Sequence, residues 1–483
     1  MNKFVNSTGV GRVYGANGAA AYASSGSALV DFFYIAGSAR NVDKSVLIDK
    51  FQRALNDDPN MALKCLFWAR DARGGAGERQ VFRDLYAYLD QKYPVLVQET
   101  LKHVPEYGRW DDLWMSVQNP TNRSLVRKLI GDKLMSQDES YGLLCKWLPR
   151  QGNFAAEMRK HLNLSPKMWR KMVVNGSKTV EQKMCARDWS SIDHNTNPSL
   201  AASRYSNAFK KHAEEDGGNY AKYLAGFATG ESKIKTGVLA PHDIVKNVRV
   251  NADPILINAQ WDNLQNFLED STENILPMID VSGSMGCLVG GNPNLSCMDV
   301  AIGLGAYVAL KQPGAFNGMY LTFETSPRLA RADITKGVKD MINDITAAPW
   351  GGSTNLSAAF DQVLTYAIRN QVPQSDMPTM LIILSDMQMN EADHTFNQTM
   401  LEMIQSKYEA SGYKMPKLVF WNLNNEYGTT EAGATTANTM LVSGFSPAIL
   451  KAIVDGTEMP AVPTPLDLVL NVLNSPRYEA ISV

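Results

Sequence analysis

Five oxygen-bearing side chains stand at the ends of two apolar runs and in one glycine-rich loop. Asn274-Ile-Leu-Pro-Met-Ile279 is short enough to be a buried strand, and Asp280-Val-Ser-Gly-Ser-Met285 follows it. Asp280, Ser282 and Ser284 leave that strand at alternate positions, and Gly283 permits a tight turn. Gly351-Gly-Ser-Thr-Asn355 supplies a further hydroxyl, Thr354. Thr379-Met-Leu-Ile-Ile-Leu-Ser-Asp386 is a second apolar strand ending in a carboxylate. Hard oxygen donors of this kind suit Mg²⁺ first, with Mn²⁺ or Ca²⁺ as alternatives, and not zinc. The hydroxyls are expected to bind directly, Asp280 and Asp386 partly through water. The DxSxS stretch alone also reads as a helix-capping turn. The three pieces in this order argue for the ion.

A second group of residues suits polyanions. Residues 146–211 carry Lys146, Arg150, Arg159, Lys160, Lys167, Arg170, Lys171, Lys178, Lys183, Arg187, Arg204, Lys210 and Lys211. Only Glu157, Glu181, Asp188 and Asp193 oppose them. Cations track a phosphate backbone, and exposed aromatics stack unpaired bases. Trp147, Phe154, Trp169, Trp189, Tyr205 and Phe209 interleave with the cations, yet most are expected in the core. The RNA-binding set is therefore Lys146, Arg150, Arg159, Lys160, Arg170, Lys171, Lys178, Arg187, Arg204, Lys210 and Lys211. A run of this bias also reads as a merely solvated face.

Catalysis is not expected. The six histidines form no paired ligand motif, and no general base stands beside the hydroxyl-rich loop. Ala69-Arg-Asp-Ala-Arg-Gly-Gly-Ala-Gly-Glu-Arg79 is a glycine-rich turn before a helix. It lacks the lysine of a nucleotide-binding loop, and salt bridges among Arg70, Asp71, Arg73 and Glu78 are expected to lock it.

The elements that position these residues fall into two halves. A chain of 483 residues exceeds one compact domain. Residues 1–250 carry a net charge of +11 and the remainder −13, which suggests two domains and a polyanion partner for the first. Residues 1–26 are rich in small residues and read as an arm that wraps another part of the chain or is disordered; they lack a signal peptide's apolar core. Residues 27–270 show helical spacing in segments such as Ala28–Ala36, Lys44–Leu55, Asn60–Asp71, Glu78–Lys92, Tyr93–Val104 and Asn251–Leu268. This rhythm suggests stacked antiparallel helix pairs, as in a solenoid. From 271 to 483, strands and helices alternate, which predicts a doubly wound parallel sheet with the metal loops at the strand carboxyl ends. No run is long and apolar enough to span a membrane. Five scattered cysteines without a CxxC pair predict reduced thiols in a cytoplasmic protein.

The three metal-loop pieces resemble the metal-ion-dependent adhesion site of a von Willebrand factor A domain. Joined to Ala69–Arg79, Lys146-Trp-Leu-Pro-Arg150, Ser203-Arg-Tyr-Ser-Asn-Ala-Phe209, Val419-Phe-Trp-Asn-Leu423 and Ser443-Gly-Phe-Ser446, they resemble the Ro autoantigen family, and more closely an uncharacterised branch with the same motif order. The resemblance spans about residues 27–480. It implies a TROVE module, a ring of HEAT-like helical repeats, closed by an A domain. It also implies a non-catalytic ribonucleoprotein component that binds small noncoding RNAs and single-stranded ends of misfolded RNAs. The cations named above come from composition, not from this resemblance. The Gly286–Ser296 insertion departs from the family pattern and bears on ligand access to the metal. The competing expectation is a protein-interaction scaffold in which the metal accepts a partner's acidic side chain.

Overall fold

The computed structural model describes residues 11–14, 20–138, 141–323, 325–347, 354–389, 399–425, 428–454 and 459–482. Two short antiparallel strands, β1 (Arg12–Tyr14) and β2 (Ala20–Tyr22), come first. Tyr22 and Thr430 exchange backbone hydrogen bonds of 2.8 and 2.9 Å, so this part of the arm lies on the C-terminal half. The rest of the arm, residues 1–10 and 15–19, lies outside the described residues.

Helices occupy the chain from Ala28 to Asp262. Their starts follow local chemistry. Ser27, Asp43 and Asp58 each accept a backbone N–H in the first turn that follows, and Pro59 fills a first-turn position that needs no donor. The helix predicted over Tyr93–Val104 is broken: Pro94–Thr100 is α-helical, Leu101–His103 tightens, and Val104–Tyr107 forms a last turn. Pro105 has no N–H to continue the ladder. The helix predicted over Asn251–Leu268 is only Pro254–Asp262, because Asp253 caps its start and Asn251 is left-handed. Beyond it the Tyr307 hydroxyl takes over the backbone, accepting from Phe267 N–H at 2.8 Å and donating to Gln265 O at 2.7 Å.

The glycine-rich turn 71–78 is locked, but its charges do not pair with one another. Arg70 Nε donates to Asp112 at 2.7 Å with both side chains buried. Arg83 reaches Asp112 at 2.7 Å and Asp111 at 2.8 Å. Glu78 pairs with Arg40 at 2.8 Å, and Arg73 donates to the Glu106 carbonyl at 3.2 Å. Asp71 pairs with Arg477 (Nη2 to Oδ1 2.6 Å) and accepts from the Tyr478 hydroxyl at 3.0 Å. The far end of the chain is thereby seated on this turn.

The second half is a mixed, mainly parallel six-stranded sheet: β3 (Ile275–Asp280), β4 (Met319–Phe323), β5 (Arg328–Arg331), β6 (Met380–Ser385), β7 (Lys417–Asn422) and β8 (Thr439–Ser443). The order is β5-β4-β3-β6-β7-β8, with only β5 antiparallel to its neighbour. Every residue of β3, β6 and β8 is buried, as expected of strands covered on both faces. Chain order reverses between β3 and β6, which makes this the topological switch point of the sheet, where sheets of this kind bind ligands beyond the strand carboxyl ends.

One continuous apolar core runs from the first helices through the sheet. Helix Ala28–Ala36 packs on β8, and helix Pro241–Arg249 packs on helix Cys297–Lys311. Both contacts use a glycine as the point of closest approach. A Cβ at Gly37 would lie 2.5 Å from Ser443 Oγ, and one at Gly303 would lie 2.7 Å from the His242 backbone nitrogen. Backbone cannot retreat as a side-chain tip can, so Gly303→Ala should cost about 1–3 kcal/mol; an unchanged urea midpoint would show that the two helices separate freely. Both ends of the helical half meet the sheet half at a cleft of about 290 Å³, lined by Arg73 and Gly77, by Leu239 and Asp243, and by Tyr307 and Phe445.

Candidate functional site

Parallel pairing sets the geometry of the oxygen cluster. Strand β3 lies beside β6 with Ile279 opposite Leu384, so Asp280 and Ser385 emerge together at the switch point. Ser385 Oγ donates to Asp280 Oδ2 at 2.5 Å, and Ser282 N–H donates to Asp280 Oδ1 at 2.9 Å. Ser282 and Ser284 hydroxyls lie 3.2 Å apart, and Thr354 Oγ1 donates to Ser282 Oγ at 3.0 Å. Asp386 holds the Gln388 N–H at 3.2 Å. Asp280, Ser282, Thr354 and Asp386 are buried, and Ser284 is half-buried. All five residues singled out by sequence therefore meet in one place. Gly351 to Ser353, the rest of the Thr354 loop, lie outside the described residues.

Burial, and then the charge of Asp386, pushes the Asp280 pKa up to about 7. Two carboxylates share a dry site there, and only the Ser385 and Ser282 hydrogen bonds favour the charged form. The donor set fits a hard divalent cation, which would supply the missing positive charge. Among the described residues no group of three or more His, Cys, Asp or Glu side chains is placed to hold a metal ion, so any ion here would rely on the hydroxyls.

Sequence reading missed Ser385, which looks like one more strand residue until the register sets it against Asp280. It also missed the neighbouring thiols, Cys287 and Cys297, whose sulfurs lie 2.9 Å apart. The Gly286–Ser296 insertion is folded against the helical half: Asn41 donates to Leu288 O at 3.1 Å and accepts from Gly290 N–H at 3.0 Å.

A second buried carboxyl bridges the halves. Glu431 accepts from the Tyr34 hydroxyl at 2.5 Å, and burial pushes its pKa up to about 7. Both Asp280 and Glu431 bind protons more tightly folded than unfolded. Their stabilising share is present at low pH and is lost as pH rises from about 4 through 7. Without divalent ions the urea midpoint should therefore fall between pH 5 and pH 8. Glu431→Gln should remove part of that fall, and Mg²⁺ should raise the midpoint more at pH 8 than at pH 5. A midpoint flat across this range in EDTA would contradict the assignment.

The cations of 146–211 divide between two packing units. Arg170 and Lys171 ride on helix Pro166–Ser177, anchored by buried Trp169 in the main core. Arg204, Lys210 and Lys211 ride on helix Ser199–Lys211, whose Phe209 joins a separate small core with Trp189 and Tyr220. Lys146, Arg150, Lys160, Lys178 and Arg187 are exposed, and Arg159 is half-buried. Lys210 is tied to Asp253 at 2.8 Å. Arg170, Lys171, Arg204 and Lys211 form no ion pair among the described residues. Of the six interleaved aromatics, Phe154, Trp169, Trp189 and Phe209 are buried, while Trp147 is half-buried beneath the Arg109 guanidinium, 3.5 Å from its ring centre.

Comparison with known proteins gives two family matches that divide the chain as the fold does. Residues 15–139 and 155–275 match a domain of unknown function, DUF2828. Residues 274–465 match a second domain of unknown function, DUF7788. The chain is also similar to uncharacterized protein L728 of Acanthamoeba polyphaga mimivirus, at 30% identity over 515 residues, covering 95% of this chain and 86% of that protein. The similarity extends across both halves. No helix among the described residues is long and apolar enough to cross a membrane.

Proposed function

Since the chain belongs to the DUF2828 family, its function must be read from its own residues, and we propose that it is a non-catalytic RNA-binding protein of the Ro type, cytoplasmic, carrying a divalent-metal A domain. The ligand class is small noncoding RNA or single-stranded RNA ends, in a scaffold or quality-control role. The observation that carries this reading is the exposed basic segment: Arg170, Lys171, Arg204 and Lys211 face solvent without ion-pair partners among the described residues, on a half whose aromatics are mostly committed to the core. Free cations without exposed stacking rings favour contact with the phosphate backbone over base readout.

The sheet order supports a von Willebrand A fold, since its hydroxyl cluster lies at the topological switch point where such sheets bind ligands. The return of both ends of the helical half to the sheet half supports a closed ring of HEAT-like repeats. In this reading Asp280, Ser282, Ser284, Thr354 and Asp386 would hold Mg²⁺, which supplies an electrophilic centre for an acidic ligand. Ser385 keeps the Asp280 carboxylate oriented. Asp280→Ala should retain the fold, because it removes one of two facing carboxylates, and should abolish the Mg²⁺-dependent rise in midpoint. Retention of that rise would remove the metal from this site. RNA binding of the full chain at increasing salt, with and without charge reversal of the basic segment, tests the first reading. The second reading, an interaction scaffold gripping a partner carboxylate through the metal, is favoured by the hydroxyl cluster. It wins if charge reversal leaves RNA binding intact while Asp280→Ala loses a protein partner.

A further inference from the structure

Cys287 and Cys297 stand at the two ends of the Leu288–Ser296 loop, directly after the first loop of the hydroxyl cluster. Backbone bonds hold the ends together. Cys297 N–H donates to Cys287 O at 3.1 Å, Val289 N–H donates to Leu295 O at 2.9 Å, and Leu288 bridges Ser296 in antiparallel fashion. The thiols are thus side by side because of the main chain, with Cys287 Sγ donating to Cys297 Sγ at 2.9 Å. Cys297 is buried, with Leu423 O 3.8 Å from its sulfur, whereas Cys287 is half-exposed. The loop between them is the clasp on the helical half: Asn41 bonds Leu288 and Gly290, and also reaches Asn424 Oδ1 at 3.1 Å. Asn424 in turn donates to Cys287 Sγ at 3.7 Å.

We propose that Cys287 and Cys297 form a reversible dithiol–disulfide pair that, when oxidised by a peroxide, cross-links the neck of this loop and fixes the clasp between the sheet half and the helical half. The more accessible of the two, Cys287, reacts first. Cys287 thiolate attacks one peroxide oxygen, the O–O bond breaks, and water leaves, giving a sulfenic acid. The Cys297 sulfur then attacks the Cys287 sulfur, the S–O bond breaks, a second water leaves, and the disulfide forms. Two thiols and one peroxide thus give one disulfide and two waters. A dithiol reductant reverses the step by exchange through a mixed disulfide. A pair of this kind in a protein of reduced thiols behaves as a redox sensor, not a structural staple. The inference stands on the loop geometry and does not depend on RNA or metal binding.

The test uses the full chain treated with hydrogen peroxide, alkylated under denaturing conditions and mapped by mass spectrometry. The expected product is a peptide spanning Cys287 and Cys297 that lacks two hydrogens and is restored by dithiothreitol, while Cys65 and Cys145 remain alkylatable. In Cys297→Ser the Cys287 sulfenic acid should persist and be trapped by dimedone. Should that variant not fold, Cys287→Ser must leave Cys297 alkylatable after peroxide. Amide exchange over residues 286–296 should slow several-fold in the oxidised protein. Oxidation of Cys287 to sulfinic acid with Cys297 still a thiol, pairing of either with Cys185, or unchanged exchange in the cross-linked protein would overturn the proposal.

Discussion

Asp112→Ala should destabilise the protein by about 3–5 kcal/mol, the largest single effect expected outside the apolar core. Asp112 is fully buried and accepts from Arg70 Nε at 2.7 Å, Arg83 Nε at 2.7 Å and Arg109 N–H at 2.9 Å. Removing it strands the Arg70 guanidinium in the interior, with a side chain only 3% exposed. The cost is that of an unpaired buried charge, and it exceeds what the ion pair contributes against a well-packed apolar substitute. The same turn seats the chain terminus through Asp71 and Arg477, so loosening it should also free that contact. Asp112→Asn should cost less, because the amide keeps the shape and one acceptor. Urea unfolding of the full chain reads both. A midpoint for Asp112→Ala within error of the parent would mean that the network is solvated in solution.

Reversing charge at Arg170, Lys171, Lys210 and Lys211 together should weaken RNA binding by on the order of a hundredfold at low salt, since each phosphate contact adds about 0.7–0.9 to the log–log salt slope. The loss should be similar for every RNA tested, because backbone contacts position without specifying. The two pairs are not equal. Lys210 already holds Asp253, so its reversal first breaks a helix-cap ion pair, and Arg170 with Lys171 should account for the larger share. Loss from the Arg170–Lys171 pair alone would place helix Pro166–Ser177 at the RNA. Loss only in the quadruple variant would indicate a diffuse field. Asp280→Ala should leave RNA affinity nearly unchanged, the sheet half being acidic. Unchanged filter binding by the quadruple variant at low salt would remove the basic segment from the proposed function.

Periodicity and composition are local properties, and what they determine was legible in the sequence. Apolar runs that end in Asp280 and Asp386 announced two strands with polar side chains at their carboxyl ends, and the strand–helix alternation predicted a parallel sheet after a helical half; the antiparallel β5 and the last strand β8 were not read from it. The +11 and −13 split marked the same division. Partners distant in the chain were not legible. Ser385 faces Asp280 only because β3 and β6 pair in one register, and a slip of one residue would put them on opposite faces. Asp71 looks like a match for Arg73 or Arg70 nearby, yet packing of the two halves brings it Arg477, and Arg70 takes Asp112. Cys287 and Cys297 share no motif; an antiparallel loop closes them together. Which cations stay free was equally hidden, since Lys210 and Lys211 are neighbours in sequence and, among the described residues, only the first finds an aspartate. Local pattern sets what each segment can bury, whereas the long-range packing of those buried faces selects which polar groups meet.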